Sequence, residues 1–168
     1  MKVIFLDIDG VLNSISCKVK IEGFDFVEDE KVALLKEIID LTGAKVVLSS
    51  TWRYGWYAME HIENPDEGDL RDIRMFEALR DKLLDFDIEL LGYTEDFERH
   101  GAEISAWLKN WQGEPIEAYA VLDDMGGNEI QPHCKYLVQT SMTHGLQAKY
   151  IKKVLKILGT NQTKRRTG

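Results

Sequence analysis

Residues 3–13 read VIFLDIDGVLN. An unbroken apolar run, Val3–Leu6, leads straight into Asp7, and a second acid, Asp9, follows before Gly10. Continuous apolar runs mark strands covered on both faces, as in a parallel sheet, whereas a strand with one wet face alternates. The glycine then closes the run with a turn. The two carboxylates need a reason. At roughly 5 Å and an effective dielectric of about 20, two unit charges repel by about 3 kcal/mol. Either a cation offsets that repulsion or one of the pair keeps a proton.

Four more short apolar runs follow the same pattern: Lys45–Ser49, Ile88–Leu91, Tyr119–Leu122 and Tyr136–Gln139. Helical spacing occupies the stretches between them. Glu30–Leu41 places Val32, Leu35, Ile38 and Ile39 on one face and meets a stop at Gly43. Leu70–Leu84, Ala102–Trp111 and Leu146–Leu158 are read as helices in the same way. Strands alternating with helices imply right-handed βαβ units, hence an α/β fold with a doubly wound, mainly parallel sheet. Cys17–Val27 alternates around Gly23 and reads as a small hairpin, and residues 62–69 (IENPDEGD) as a surface loop. A single domain is expected over 1–160, followed by a disordered basic tail over 161–168.

The 168 residues carry 21 Lys and Arg against 29 Asp and Glu, a formal charge of −8 that argues against general attraction to nucleic acid. No apolar run reaches the roughly 20 residues of a membrane span. The start, MKVIFLD, meets an acid too soon for a signal peptide, so a cytoplasmic protein is expected, with no membrane association and no obligate protein partner. Cys17 and Cys134 form neither a CxxC pair nor a disulfide framework. His133 beside Cys134 is the only close pair of soft ligands, too few for a zinc site.

In open α/β sheets ligands bind beyond the carboxyl ends of the strands. The first run ends in Asp7-Ile8-Asp9-Gly10, the second in Ser49-Ser50-Thr51, the fourth in Asp123-Asp124. Acids and hydroxyls from three strand ends therefore converge on one edge. An EF-hand is excluded, because Val11 and Leu12 stand where an oxygen ligand and glycine are required. Three or four carboxylates at one edge are mutually destabilising without a cation, and hard oxygen ligands point to Mg²⁺.

VIFLDIDGVLN, KVVLSSTWR, RHGAEISAWL and AYAVLDDM resemble, in order, the four signature stretches of the haloacid dehalogenase (HAD) superfamily, from Val3 to about Met125. GLQAKYIKKVLKIL is similar to the closing helix of a small branch related to the phosphatase domains of polynucleotide kinase-phosphatase and other nucleic-acid end-repair proteins. The resemblance implies a Rossmann-like core with a minimal cap. It also implies Mg²⁺-dependent hydrolysis of a phosphate monoester through an aspartyl phosphate. Asp7 would be the nucleophile, and Asp9 would protonate the leaving oxygen and then deprotonate water. An aspartate at that second position favours a phosphatase over a dehalogenase. Asp7, the Asp9 carbonyl and Asp123 or Asp124 would hold Mg²⁺, and Ser49 would bind a phosphoryl oxygen.

The branch sets a cation directly before its Gly-x-Glu-Ile stretch, a place that His100 occupies here with Arg99 one residue earlier. Arg99 is the preferred cation, because it is always charged and grips two oxygens. His100 is expected to be only partly protonated near neutral pH. Glu103 fits a first helical turn by dipole and capping alone, with a salt bridge to the catalytic cation as the alternative. Ser50 is placed with Trp52, Arg53 and His100 as a substrate-binding residue, although Ser50 or Thr51 also suits a helix cap. Trp52 and Arg53 open an aromatic-rich stretch, residues 51–61, read either as helical core packing or as a base-stacking and phosphate-holding surface. Trp107 and Trp111 are assigned to the core.

Neither the stretch from Gly10 to Ser49 nor that from Arg53 to Arg99 has room for a large cap, so an open site is expected. The expected substrate is a nucleotide or a nucleic-acid phosphate end, with a small metabolite phosphate or a phosphoprotein as the alternative. Local compensation for the acidic balance would have to come from Arg53, Arg71, Arg74 and Arg99. A receiver-like phosphoacceptor module also clusters acids around Mg²⁺, but its phosphoacceptor ends a middle strand, where this chain has serines. A DxD glycosyltransferase needs a nucleotide-binding half ahead of the motif, and six residues leave no room for one.

Overall fold

The computed structural model describes residues 1–161, and the basic tail beyond them lies outside the described residues. The chain runs β1 (Lys2–Leu6), β2 (Lys20–Ile21), β3 (Phe24–Asp25), α1 (Asp29–Thr42), β4 (Lys45–Leu48), α2 (Arg53–His61), α3 (Glu67–Asp85), β5 (Leu90–Tyr93), α4 (His100–Asn110), β6 (Ala118–Asp123), β7 (Leu137–Gln139) and α5 (Ile151–Leu158).

Five strands form one sheet in the order β5-β4-β1-β6-β7, every pair parallel. This is a Rossmann-like α/β fold. Successive β1 residues face opposite layers. Ile4 and Leu6 join the helices α1, α3 and α5 on one side, and Val3 and Phe5 meet Ile104 of α4 on the other. Both faces are thus apolar and covered, which is why the strand sequences run apolar without alternation. Strand order reverses at β1, with β4 on one side and β6 on the other, so the crevice beyond β1 is the switch point where ligands gather.

The ladder continues one residue past each strand. Asp7 N donates to Leu122 O at 2.9 Å, Ser49 N to Leu6 O at 2.8 Å, and Thr94 N to Leu48 O at 3.0 Å. The residues bearing the site's side chains are therefore still held in sheet register.

Several boundaries differ from expectation, each for a local reason. Helix α3 starts inside the expected loop, because Asp66 and Asp69 form a reciprocal capping box that holds its first turn. Strand β5 sits two residues later than Ile88–Leu91, and Ile88 is buried in the core ahead of it. The expected helix over Leu146–Leu158 is α5 preceded by a short 3₁₀ turn, Ala148–Tyr150. The hairpin is only two residues per strand, and its tip is tied to α3 by Arg74 Nε and NH2 donating to Glu22 at 2.8 and 3.2 Å.

Helix α4 carries His100 at its first position and is wedged in place by the next residue. A Cβ at Gly101 would overlap the Gln131 carbonyl, so glycine permits the close approach of α4 to the segment before β7. The Gly101 carbonyl accepts from Ser105 Oγ at 2.8 Å. His133 Nε2 also approaches that carbonyl, at 3.1 Å. Gly101→Ala is expected to lower stability by about 1–3 kcal/mol, the usual range for overpacking, read from the midpoint of urea denaturation.

Candidate active site

Asp7 extends β1 and Asp123 ends β6, and the pairing of Leu6 with Leu122 sets them side by side. Asp124 follows. Among the described residues, one group of three potential metal ligands converges: oxygens of Asp7, Asp123 and Asp124 lie within 4.8 Å of one another. The loop after β1 presses against this group. Gly10 has φ 74°, and a Cβ there would lie 2.8 Å from Asp124 Cβ. Thr140 Oγ1, beyond β7, donates to the Gly10 carbonyl at 2.6 Å and pins the loop.

Burial first, then the neighbouring charge of Asp123, raise the Asp7 carboxyl from its ordinary value to about 8. The Ile8 N–H, the nearby Ser50 hydroxyl and the charge of His100 pull the other way without cancelling the rise. Asp124 is raised too, by burial and then by Asp123. Asp123 is fully buried and relieved directly: His100 Nδ1 meets its Oδ2 at 2.6 Å, and Met125 N donates to its Oδ1 at 2.8 Å. That hydrogen bond lifts His100 to about 9 against the opposing effect of burial. His100 is therefore a full cation near neutral pH rather than the partly protonated group expected from its sequence. Its helix brings it to the acids, whereas Arg99 lies exposed at the helix start. The cation beside the acids is His100.

Asp9 lies outside this cluster. Its Oδ1 accepts from Asn13 Nδ2 at 2.8 Å and its Oδ2 from Trp52 Nε1 at 3.1 Å. Asn13 in turn accepts from Gly10 N at 2.9 Å. Two aspartates two residues apart thus occupy different environments, one among acids and one among donors. Trp52 is buried and serves Asp9 instead of offering a free stacking face.

Ser49 and Ser50 sit at the end of β4, buried; the Ser49 hydroxyl has no hydrogen-bond partner, and that of Ser50 lies near Asp7 without a bond of ordinary geometry. The expected capping role is not realised, since α2 begins after Trp52 with no side-chain cap. Buried unpaired hydroxyls are uncommon and costly, and here both lie at the strand end adjoining Asp7.

Arg53 does not occupy a place where it could hold a substrate phosphate. It is 4% exposed, and its NH1 and NH2 donate to Glu103 Oε2 and Oε1 at 3.0 and 2.8 Å. Thr94 and Asp96 accept its remaining reach, at 3.3 and 3.0 Å. Glu103 therefore pairs with the arginine of α2, not with the cation beside the acids. Two more residues of the expected basic patch are neutralised, Arg71 by Asp72 and Arg74 by Glu22 and Glu67, while Arg99 is exposed. His133 is held between Ser105 Oγ and the Tyr119 hydroxyl, both at 2.8 Å, and Cys134 stands apart from that contact. Trp107 packs edge-on against Phe5, whereas Trp111 only stacks on Trp107 from outside.

Sequence reasoning passed over Asn13 and Thr140. Asn13 was legible in principle, because it lies four residues after Asp9 in a tight turn, within reach of that side chain. Thr140 follows the last strand, at the edge that also carries the other three strand ends.

The model of one family, described as the HAD domain in Swiss Army Knife RNA repair proteins, matches residues 3–151. No curated protein and no solved structure matches the chain. Among the described residues, no helix is long and apolar enough to cross a membrane.

Two outcomes follow from the charges. Asp7 is held above its unfolded value, so the metal-free fold loses stability as pH rises from about 4 toward 8. Asp7→Asn removes that cost. In chelator it should raise Tm by roughly 5 °C or more near pH 9 and change it little near pH 4, as followed by circular dichroism. Arg53→Met strands a buried carboxylate at Glu103 and should cost about 3–5 kcal/mol in urea denaturation.

Proposed function

The chain belongs to the family of HAD domains found in Swiss Army Knife RNA repair proteins and is a HAD-type phosphatase; we propose that it hydrolyses phosphate monoesters at nucleotide or nucleic-acid ends, through an aspartyl phosphate on Asp7 and with Mg²⁺ as cofactor. The reading rests on one observation. Asp7 turns into a buried group with Asp123 and Asp124, whereas Asn13 and Trp52 hold Asp9 apart from it. Paired carboxylates in contrasting environments take contrasting roles.

The donor set suits the cofactor that HAD domains generally use. Three carboxylates within 4.8 Å supply hard oxygen ligands, and the raised pKa of Asp7 marks a group short of positive charge. Asp7, Asp123 and Asp124 would hold Mg²⁺, together with the main-chain carbonyl of Asp9. Bound there, the ion would neutralise the nucleophile and the phosphoryl oxygens.

The residues then divide the chemistry. An Asp7 oxygen attacks phosphorus, the ester P–O bond breaks, and the leaving oxygen takes the proton of the Asp9 carboxyl. Water next attacks phosphorus and gives its proton to Asp9. The P–O bond to Asp7 breaks, and inorganic phosphate departs. Trp52 and Asn13 keep Asp9 aimed throughout. The free hydroxyls of Ser49 and Ser50 suit donation to phosphoryl oxygens, and the second nitrogen of cationic His100 suits the same task. Asp123 positions that imidazolium.

Hydrolysis of p-nitrophenyl phosphate, with and without Mg²⁺, tests the reading, followed by phosphate release from 3′- and 5′-phosphorylated oligonucleotides. Asp7→Asn should abolish turnover. Asp9→Asn should lower kcat by about 10²–10⁴, the span of general acid–base catalysis. Turnover that survives in chelator, or in Asp7→Asn, would overturn it.

A further inference from the structure

On the side that Asp9 faces, next to the acid group, an open cavity of about 370 Å³ lies between the hairpin and the helices α2 and α3. Asp9 and Trp52 line it, as do Phe24 and Asp25 of the hairpin and, among others, Arg71 and Asp72 of α3. We infer that this cavity seats a single nucleoside unit, the one esterified to the phosphate under attack, with its base stacked on Phe24. The inference rests on the phosphatase reading for the position of the phosphate, and deepens it by assigning the group that leaves.

Three features carry it. Asp9 lines the cavity, and the residue that protonates the leaving oxygen must stand on the leaving-group side. The space beside it is where the rest of the ester sits. Its volume falls within the range of pockets that hold small organic molecules.

Phe24 is the second feature. It is 50% exposed although its hairpin is short and anchored, and the Arg71 guanidinium lies 5.6 Å from its ring centre. A half-exposed aromatic ring with a guanidinium at its face, both lining one cavity, offers planar groups for a base to stack on, and every base has a face to offer them. Trp52 cannot serve instead, because it is buried and committed to Asp9.

Charge is the third. The carboxylates around the cavity already have partners: Asp25 pairs with Lys20, Asp72 with Arg71 at 3.0 Å, and Asp9 accepts from Asn13 and Trp52. A second phosphate would find no unpaired cation among the lining residues. The hydroxyl and amino groups of a neutral nucleoside would instead find carboxylate acceptors. The cavity therefore fits one nucleoside and turns away the next phosphate, so a longer chain has to leave through the open side.

Adenosine, which carries no phosphate, separates this inference from the reaction. Calorimetry on the full chain carrying Asp7→Asn should show adenosine binding, with ribose alone binding far more weakly. Adding Phe24→Ala should weaken adenosine roughly tenfold or more, the usual worth of one stacked base. Phe24→Tyr should restore it. Arg71→Met, on a different element, should weaken it too, which guards against a hairpin that merely misfolds. Failure of adenosine to bind, or equal binding to Phe24→Ala, overturns the inference. Binding that persists with this pattern while the wild type hydrolyses no phosphate monoester supports the cavity and removes the phosphatase reading. With active protein, kcat/KM for a 3′- or 5′-nucleoside monophosphate should exceed that for glycerol phosphate, and Phe24→Ala should shrink the ratio.

Discussion

Three carboxylates from the ends of two neighbouring parallel strands are held within 4.8 Å, largely away from water. Like charges so placed repel, and a flexible chain would let them separate. The sheet prevents it. Asp7 N is bonded to Leu122 O and Thr140 N to Asp123 O, both at 2.9 Å, so the acids cannot splay without breaking the ladder. Relief comes from elsewhere, and it differs for each acid. Asp123 receives His100, and Asp7 retains a proton into the weakly basic range.

The position of His100 depends on a second buried contact. Helix α4 is triangulated from three directions. Arg53 at the start of α2 grips Glu103 with two parallel bonds, Gly101 lodges against Gln131, and Ile104 packs on Phe5 and Val121 of the sheet. A buried ion pair is weak as a source of net stability, since desolvation offsets most of the attraction. Its geometry is specific, however, and two parallel bonds between planar groups fix orientation as well as distance. Arg53 and Glu103 set where the helix begins, and the helix start sets whether an imidazole can reach Asp123. The same pair explains why an arginine in an aromatic-rich stretch is unavailable to a substrate.

The parallel sheet was legible because burial on both faces writes itself into composition: Val3–Leu6 and Lys45–Ser49 carry too little polarity to be anything else. The acids at positions 7, 9, 123 and 124 were legible because strand ends are where an α/β sheet meets its ligands. What the chain concealed was direction. Nothing in the order of residues says that Asp9 points away from Asp7, because that depends on Asn13 folding back in one turn and on Trp52, some forty positions later, reaching across from another strand end. Nor could Arg99 and His100 be ranked by intrinsic chemistry. Arginine is the stronger cation, but a one-residue rotation on the helix decides which side chain faces the acids. The boundary of α3 failed for a smaller reason, a capping box that uses Asp at both positions in place of the commoner Ser or Thr with Glu.

The distribution of the arginines bears on how a phosphate ester reaches this site. A protein of formal charge −8 repels a polyanion at long range, and the arginines on α2 and α3 that might have countered this are spent on Glu103, Asp72, Glu22 and Glu67. The positive charge beside the acids is that of His100. Attraction is therefore short-ranged and confined to one phosphate. Proteins that track a nucleic-acid backbone spread lysines and arginines along a groove, so that each phosphate contact adds to affinity and to its salt dependence. The paired arginines of α2 and α3 do neither. Recognition of anything beyond one phosphate would then fall to neutral contacts, of the kind that the half-exposed ring of Phe24 beside carboxylate acceptors would supply.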